Sequence, residues 1–274
     1  MKRTSSILAA ALVVAALCLA SWAFWLEPAS LVVEHTRLTT PELSGLRLAV
    51  LSDLHIGSPY QGLKKLREIV FRTNAEQPDL ILLPGDFVIQ GVKGGKFIHP
   101  DDFSPVLAEL QAPLGVWAVM GNHDHWFEGS SPVPPAFERH GIPLLEDRAV
   151  RIDRPERPFW LVGVSDLWES DHDIHKAMSE VKGDDPVLLF THNPDIFPEI
   201  PGRVALTVAG HTHGGQVDLP FLGRLIVPSK FGERYAAGIV VEDGRKLYVS
   251  TGIGTSILPV RFRVPPVVTI LDLE

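Results

Sequence analysis

The stretch Val119-Met120-Gly121-Asn122-His123-Asp124-His125 turns an apolar run into a cluster of polar side chains within a few residues. Upstream, Gly115 to Met120 reads as a buried strand, and Gly121 releases the backbone where Asn, His, Asp and His arrive together. Such a segment makes a poor core. Asn and His offer neutral lone pairs to a metal ion, and a carboxylate beside a histidine can fix its tautomer and raise its basicity. By itself the segment fits a hydrogen-bonded turn equally well, and four other strand ends decide between the two readings.

Working outward, Leu46 to Leu51 reads as a half-buried strand that delivers Ser52-Asp53-Leu54-His55. A two-residue period would put Asp53 and His55 on one side, where a carboxylate and an imidazole can hold one cation. Alone, the pair fits an Asp capping the next turn and an exposed His. Leu63 to Glu76 carries Leu63, Leu66, Ile69, Val70 and Phe71 at helical spacing, and Asp79 to Leu83 then runs into Pro84-Gly85-Asp86. This is a strand-helix-strand unit ending in a second acid. Pro186 to Phe190 leads to Thr191-His192-Asn193, and Val204 to Ala209 leads to Gly210-His211-Thr212-His213-Gly214-Gly215. Alternate histidines of an extended segment share a face, and the flanking glycines let the backbone approach a metal cluster.

The remaining chain supplies the frame. With 274 residues, 45% hydrophobic and 21% charged, it suits one globular domain plus a short extra segment. A formal charge of -8 with scattered Arg and Lys argues against nucleic acid held through its phosphates. The single Cys18 excludes an internal disulfide framework and a Cys-rich zinc site, so any metal is held by His, Asp, Asn or Glu. Gly91 to Gly95 reads as a solvated connector, and Asp102 to Leu110 as a short helix. Pro132 to Pro135 reads as a break before a helical turn at Phe137 to His140. Adjacent strand-like runs at Ala149 to Ile152 and Phe159 to Gly163 mark a second sheet, followed by a helix at Ile174 to Val181. Three more strands are expected at Gly238 to Val241, Lys246 to Val249 and Val267 to Leu271. His35, His99, His140, His172 and His175 lie outside every motif and read as surface residues.

At the N-terminus, Lys2 and Arg3 precede Ile7 to Leu26, an uncharged stretch long enough to cross a bilayer, with Trp22 and Trp25 near its far end. An uncleaved anchor fits better than a cleaved signal sequence, whose best cleavage candidate is the weak Cys18-Leu19-Ala20. The two positive charges favour an extracytoplasmic catalytic domain, with the cytoplasmic face as the alternative.

In order, Asp53-x-His55, Gly85-Asp86, Gly121-Asn122-His123-Asp124, His192 and Gly210-His211-x-His213 resemble the calcineurin-like metallophosphoesterases, from about Leu46 to the end. The resemblance implies an α/β fold, a four-layer α-β-β-α sandwich of two mixed β-sheets flanked by helices, preceded here by a transmembrane helix. It divides the chain into an anchor or signal sequence (1–27), a linker with a first strand (28–45) and a metallophosphoesterase domain (46–274). It also implies two divalent metal ions, one held by Asp53, His55, Asp86 and His213 and the other by Asp86, Asn122, His192 and His211, with Asp86 bridging. Mixed nitrogen and oxygen ligation suits Mn, Fe or Zn better than Ca. Two cations, two aspartates and a bridging hydroxide nucleophile leave about one positive charge to attract a phosphoester. His123, left over after the ligands, is the candidate general acid, with Asp124 orienting its ring.

The N-terminal span, Gln216, Thr251-Gly252-Ile253-Gly254 and Arg261-Phe262 are most similar to the membrane-anchored branch of that family. The expected partners are thus a membrane and a phosphoester substrate, a lipid or nucleotide-sugar lipid, with neither nucleic acid nor a protein partner implied. Some of that branch cleave UDP-2,3-diacylglucosamine in lipid A biosynthesis. Two rival readings remain. A mononuclear zinc amide hydrolase would not need Asp53, Asp86 and Asn122 at three strand ends, and a non-catalytic metal-stabilised membrane module would have no use for His123.

Overall fold

Leu80-Ile81-Leu82-Leu83 is apolar at every position, a pattern that suits a strand in a sheet covered on both faces. The computed structural model describes residues 2–155 and 157–274, with side chains from Thr4 onward, so the side chains of Lys2 and Arg3 lie outside the described residues. Its strands are β1 (Val32–Leu38), β2 (Arg47–Val50), β3 (Leu80–Pro84), β4 (Val116–Val119), β5 (Arg148–Ile152), β6 (Phe159–Val164), β7 (Val187–Thr191), β8 (Val204–Ala209), β9 (Gly238–Glu242), β10 (Arg245–Val249) and β11 (Val267–Leu273). One sheet has the order β1-β11-β2-β3-β4 and the other β5-β6-β7-β8-β10-β9. Both are mixed: β11 runs antiparallel to β2, whereas β2, β3 and β4 are parallel. In the second sheet β6, β7, β8 and β10 are parallel between antiparallel edges β5 and β9.

Facing side chains of the two sheets, among them Leu48, Val50, Leu82, Leu188, Phe190 and Leu206, form the central core. Ala49, Ile81 and Leu83 point the other way, against Leu66, Ile69 and Phe103 of the flanking helices Leu63–Ala75 and Pro100–Leu107. On the far side Val162, Val164 and Leu189 meet Ala177 of the helix Ile174–Ser179 and Phe197 of a 3-10 segment. The layers are therefore helix, sheet, sheet, helix.

Two local expectations change, and a third is filled in. Phe71 is 74% exposed, because one residue beyond the buried Val70 a helix has turned by about 100° and left the core-facing stripe. The prolines near residue 134 do not break the chain; Pro134 and Pro135 sit at the start of a helix over Val133–Arg139, where missing N–H groups cost little. The first strand expected within 28–45 is present as β1 and pairs in parallel with β11 along its whole length. The C-terminal strand thus inserts between β1 and β2, an arrangement no local pattern announces.

The N-terminal helix begins at Lys2 and continues through a wider π-helical turn, Trp22–Leu26, to Ala29. Thr4–Ala29 is long and apolar enough to cross a membrane and is almost entirely unburied by the rest of the chain. Its end is attached to the body through its backbone carbonyls: Arg261 N–H donates to Ala23 O (2.9 Å), and the Tyr60 hydroxyl donates to Phe24 O (2.9 Å). The buried Glu27 accepts from Val264 N–H at 2.6 Å.

Leu188→Ala, which empties a fully buried position between the sheets, should cost about 2–5 kcal/mol in urea denaturation of the detergent-solubilised protein. Phe71→Ala should stay within about 0.5 kcal/mol of the parent.

Candidate metal centre

The site lies beyond the carboxyl ends of parallel strands from both sheets. Asp53 and His55 follow β2, Asp86 follows β3, Asn122 and His123 follow β4, His192 follows β7, and His211 and His213 follow β8. Strand periodicity does not aim these side chains. Asp53 (φ 53°), His55 (φ 40°), Asp86 (φ 57°), His211 (φ 70°) and His213 (φ 52°) are all left-handed, so neither Asp53-x-His55 nor His211-x-His213 is an extended pair. Each such residue costs on the order of 1 kcal/mol and persists where surrounding bonds impose it. Here Asp53 N–H donates to Gly85 O (3.1 Å) and His55 N–H to Asp86 O (2.9 Å), locking the two loops together. A Cβ at Gly121 would strike the Asp86 carboxylate, and one at Gly210 would strike the Ser52 hydroxyl, so both positions need glycine for close approach.

Six side chains converge on Asp86. Around one side, His55 Nε2 lies 3.4 Å from Asp86 Oδ2 and 3.0 Å from His213 Nε2, which is 3.5 Å from Asp53 Oδ1. The ligand atoms of Asp53, His55, Asp86 and His213 all fall within 4.8 Å of one another and are buried. On the other side, His192 Nε2 is 3.4 Å from the same Asp86 Oδ2 and 3.1 Å from Asn122 Oδ1. His211 Nδ1 is 3.1 Å from both His192 Nε2 and Asn122 Oδ1.

The tautomers show what this arrangement accepts. His192 Nδ1 faces Pro84 O at 2.7 Å and must donate to it, which leaves Nε2 a bare lone pair in the neutral ring, pointed at an amide oxygen. His55 Nδ1 likewise faces Val88 O at 3.1 Å, leaving its Nε2 lone pair against a carboxylate. Convergent lone pairs repel unless a cation lies among them, and nitrogen and oxygen donors of this kind fit a divalent metal.

A family model described as calcineurin-like phosphoesterase matches residues 46–215. The chain belongs to that family. Among curated relatives it is 29% identical to the uncharacterized metallophosphoesterase YkuE of Bacillus subtilis, covering 92% of this chain and 89% of that one. It is 32% identical to phosphodiesterase YaeI of Escherichia coli, over 83% and 82%. It is 26% identical to UDP-2,3-diacylglucosamine pyrophosphatase LpxG of Chlamydia trachomatis, over 91% of each chain. The protein is a hydrolase of phosphoester bonds that uses divalent metal ions.

Within this phosphoesterase, charge is unevenly shared. Burial pushes Asp53 up to about 6, against the pull of His192 and the Ser52 hydrogen bond. Burial would raise Asp86 too, but His192, then His123 and His55, outweigh it and hold this carboxyl well below the usual range. His192 is the converse: burial disfavours its charge, yet Asp86 and Asp53 raise it well above an ordinary histidine. Burial takes His55 and His211 down to about 3, so both stay neutral.

Asp124 does not orient His123. Its two oxygens accept from the backbone N–H groups of Asp86 (2.8 Å), Phe87 (2.9 Å), Val88 (3.1 Å) and Gly121 (2.9 Å). Burial and the neighbouring Asp86 push its pKa up to about 8, but four donors on two oxygens leave no acceptor for a proton, so the bonding favours the carboxylate. Its role is to clamp the β3 loop onto the β4 loop. The His123 ring instead sits edge-on to His55, centroids 4.8 Å apart, and against Trp126 at 4.2 Å. Its Nδ1 is buried without a partner and its Nε2 is 3.4 Å from the Ser256 hydroxyl. Burial lowers its pKa, opposed by Asp86.

A cavity of about 430 Å³ opens over these residues, with Trp126, Trp168, Gln216 and Ser256 among its walls. Nothing in the local sequence marks Trp168, which packs edge-on against the His211 ring at 4.3 Å. Arg261 is also part of the support. Fully buried, it donates to Thr251 O (3.0 Å) and Gly254 O (2.6 Å), and Gly254 N–H in turn reaches Asp53 O at 2.6 Å. Its guanidinium lies 3.5 Å from His213 Nδ1, and burial lowers its pKa to about 10. In the sequence it is visible as one of two arginines, with Arg263, in the otherwise uncharged run Leu258 to Val264, and in the Arg261-Phe262 pair of the resemblance.

Cations must displace the protons on Asp53 and His192. With both groups raised, apparent Mn affinity should climb from about pH 5 to 8, by about tenfold per unit for each proton released, and most steeply below about 6, where Asp53 also carries one. Isothermal titration across that range checks this, and a flat profile would contradict it.

Proposed function

We propose that the protein is a dinuclear phosphodiesterase or pyrophosphatase working at a membrane surface. The observation that carries this reading is the sharing of one atom, Asp86 Oδ2, by two donor groups. Asp53, His55 and His213 with Asp86 would hold one cation; Asn122, His192 and His211 with the same Asp86 would hold the second. Mn, Fe or Zn suits such a set. When bound, the pair supplies an acidified water as nucleophile and neutralises charge on the phosphoryl oxygens.

The chain's own residues do the rest. Asp124 and the left-handed loops fix the donors before any substrate arrives, so little reorganisation is left for the reaction. His123 protonates the leaving oxygen, since its ring lines the cavity and none of the ligand distances require it. Trp126 and Trp168 narrow the entrance and exclude water. The similarity to LpxG makes UDP-2,3-diacylglucosamine a candidate substrate and links the protein to lipid A biosynthesis. Lys2 and Arg3 favour a domain outside the cytoplasm, where an envelope phosphoester is the better candidate.

Asp86→Asn tests the shared atom: metal content by mass spectrometry should drop from two ions per chain, and turnover of bis-p-nitrophenyl phosphate should vanish. A variant that kept both would refute the scheme.

His123→Ala should retain its metals yet lose about 10²- to 10⁴-fold in kcat on esters with alkoxide leaving groups. The deficit should shrink for nitrophenolate, which needs little protonation. An equal loss on both would assign His123 a structural role.

A further inference from the structure

The metal-site cavity does not end at the metal site. It continues into a second cavity of about 340 Å³ through common walls at Gly215, Gln216, Ile226, Ser256 and Ile257. Farther out the lining is Val217, Leu219, Leu225, Leu258 and Val260, with no charged residue. The polar side chain of Gln216 is occupied: its Oε1 accepts from Ser256 N–H (2.7 Å), and its Nε2 donates to Ser256 O (3.2 Å) and Leu258 O (3.4 Å). The two walls are stitched by Asp218 N–H to Phe262 O and Phe262 N–H to Gln216 O, each 2.9 Å. The groove is thus built and apolar, and one end opens onto the catalytic groups.

Its rim is more apolar still. Phe221, Leu222, Leu225, Ile226, Ile257 and Leu258 are all exposed, Ile226 by 80% and Ile257 by 73%. Ile257 also has φ 63°, a conformation rare for a β-branched residue, and Phe221 has φ 67°. A contiguous exposed patch of this kind marks a surface that water does not normally cover. What covers it follows from the chain itself. Three residues beyond Leu258, Arg261 N–H donates to Ala23 O, inside the segment long enough to span a bilayer. Tyr60 fastens to Phe24 one residue on. The rim is therefore held beside the end of the anchor, where the nearest apolar phase is the bilayer's own hydrocarbon.

We propose that this groove holds one alkyl chain of a bilayer-resident phosphoester while its phosphate sits at the metal centre. The proposal rests on the phosphodiesterase reading above and adds the substrate class: an amphiphile that reaches the site from the membrane plane, its chain lying between the 216–226 and 256–260 segments. Apolar walls would recognise chain length and not headgroup identity.

The test uses the full-length protein in mixed micelles with two nitrophenyl phosphodiesters, one carrying a methyl and the other a hexadecyl chain. The parent should prefer the hexadecyl ester in kcat/KM, and Leu225→Glu with Leu258→Glu should reduce the long-to-short ratio at least about tenfold. Phe71→Glu, an equally exposed apolar position elsewhere, should not move it. In parallel, a hexadecylphosphonate with a terminal diazirine, photolysed in phosphatidylcholine nanodiscs, should crosslink to residues 217–226 and 256–260. A ratio insensitive to the double substitution, or crosslinks confined to the anchor helix, would overturn the proposal. So would a concentration-dependent dimer that buries the rim and blocks crosslinking. If neither ester turns over, the phosphodiesterase reading fails, and the crosslinking pattern alone decides the groove.

Discussion

Everything near the centre of this molecule answers to one buried carboxylate. Asp86 carries its charge in a place from which water is almost absent, and an ion so buried is tolerated only when opposite charge and donors surround it. His55 and His192 lie 3.4 Å from one of its oxygens, and the backbone N–H of His123 donates to the other at 2.9 Å. The cost of burying that charge is offset by cations drawn to the same position, whether a proton on His192 or a divalent metal ion. Removing Asp86 would leave the facing lone pairs without the charge that makes their convergence worthwhile.

The scaffold exists to hold those groups in conformations the chain would not choose. Parallel strands from two sheets end at one edge, and those that carry Asp53, His55, Asp86, His211 and His213 pass their ligands through left-handed residues that a free peptide would avoid. The cores on either side of the first sheet fix where β2, β3 and β4 stop, and hydrogen bonds between successive loops fix how they turn. Asp124 belongs to this framework. By taking four backbone N–H groups, it joins two strand-end loops in a way that a water molecule or a neutral side chain could not match.

The same framework reaches the N-terminal helix. Glu27, buried at its end, accepts from the backbone of Val264, and Arg261 between that point and the metal loops donates to Thr251 and Gly254. Through Gly254 the path arrives at Asp53. A helix long and apolar enough to cross a membrane is thus joined at its C-terminal end, by hydrogen bonds, to the domain that carries the chemistry, while the rest of it lies clear of that domain.

The sequence by itself determined the chemistry. Apolar runs ending in Asp, His and Asn announce strand ends with ligands, because few packed cores would carry that many lone-pair donors at the exits of apolar strands. The alternation of strand and helix up to Val119, followed by adjacent strands, announces two layers of sheet. The apolar start announces a membrane-length helix. Only the tertiary structure decided how these parts are used. Asp124 and His123 are neighbours in sequence, yet one faces the backbone of a different strand and the other faces the cavity, since side-chain direction in an irregular turn depends on contacts that no periodicity encodes. The final strand enters the first sheet between β1 and β2, and Arg261 packs behind His213, through pairings between distant residues. Such contacts form because burial and hydrogen-bond satisfaction are optimised over the whole chain, so they leave no repeating mark in the local sequence.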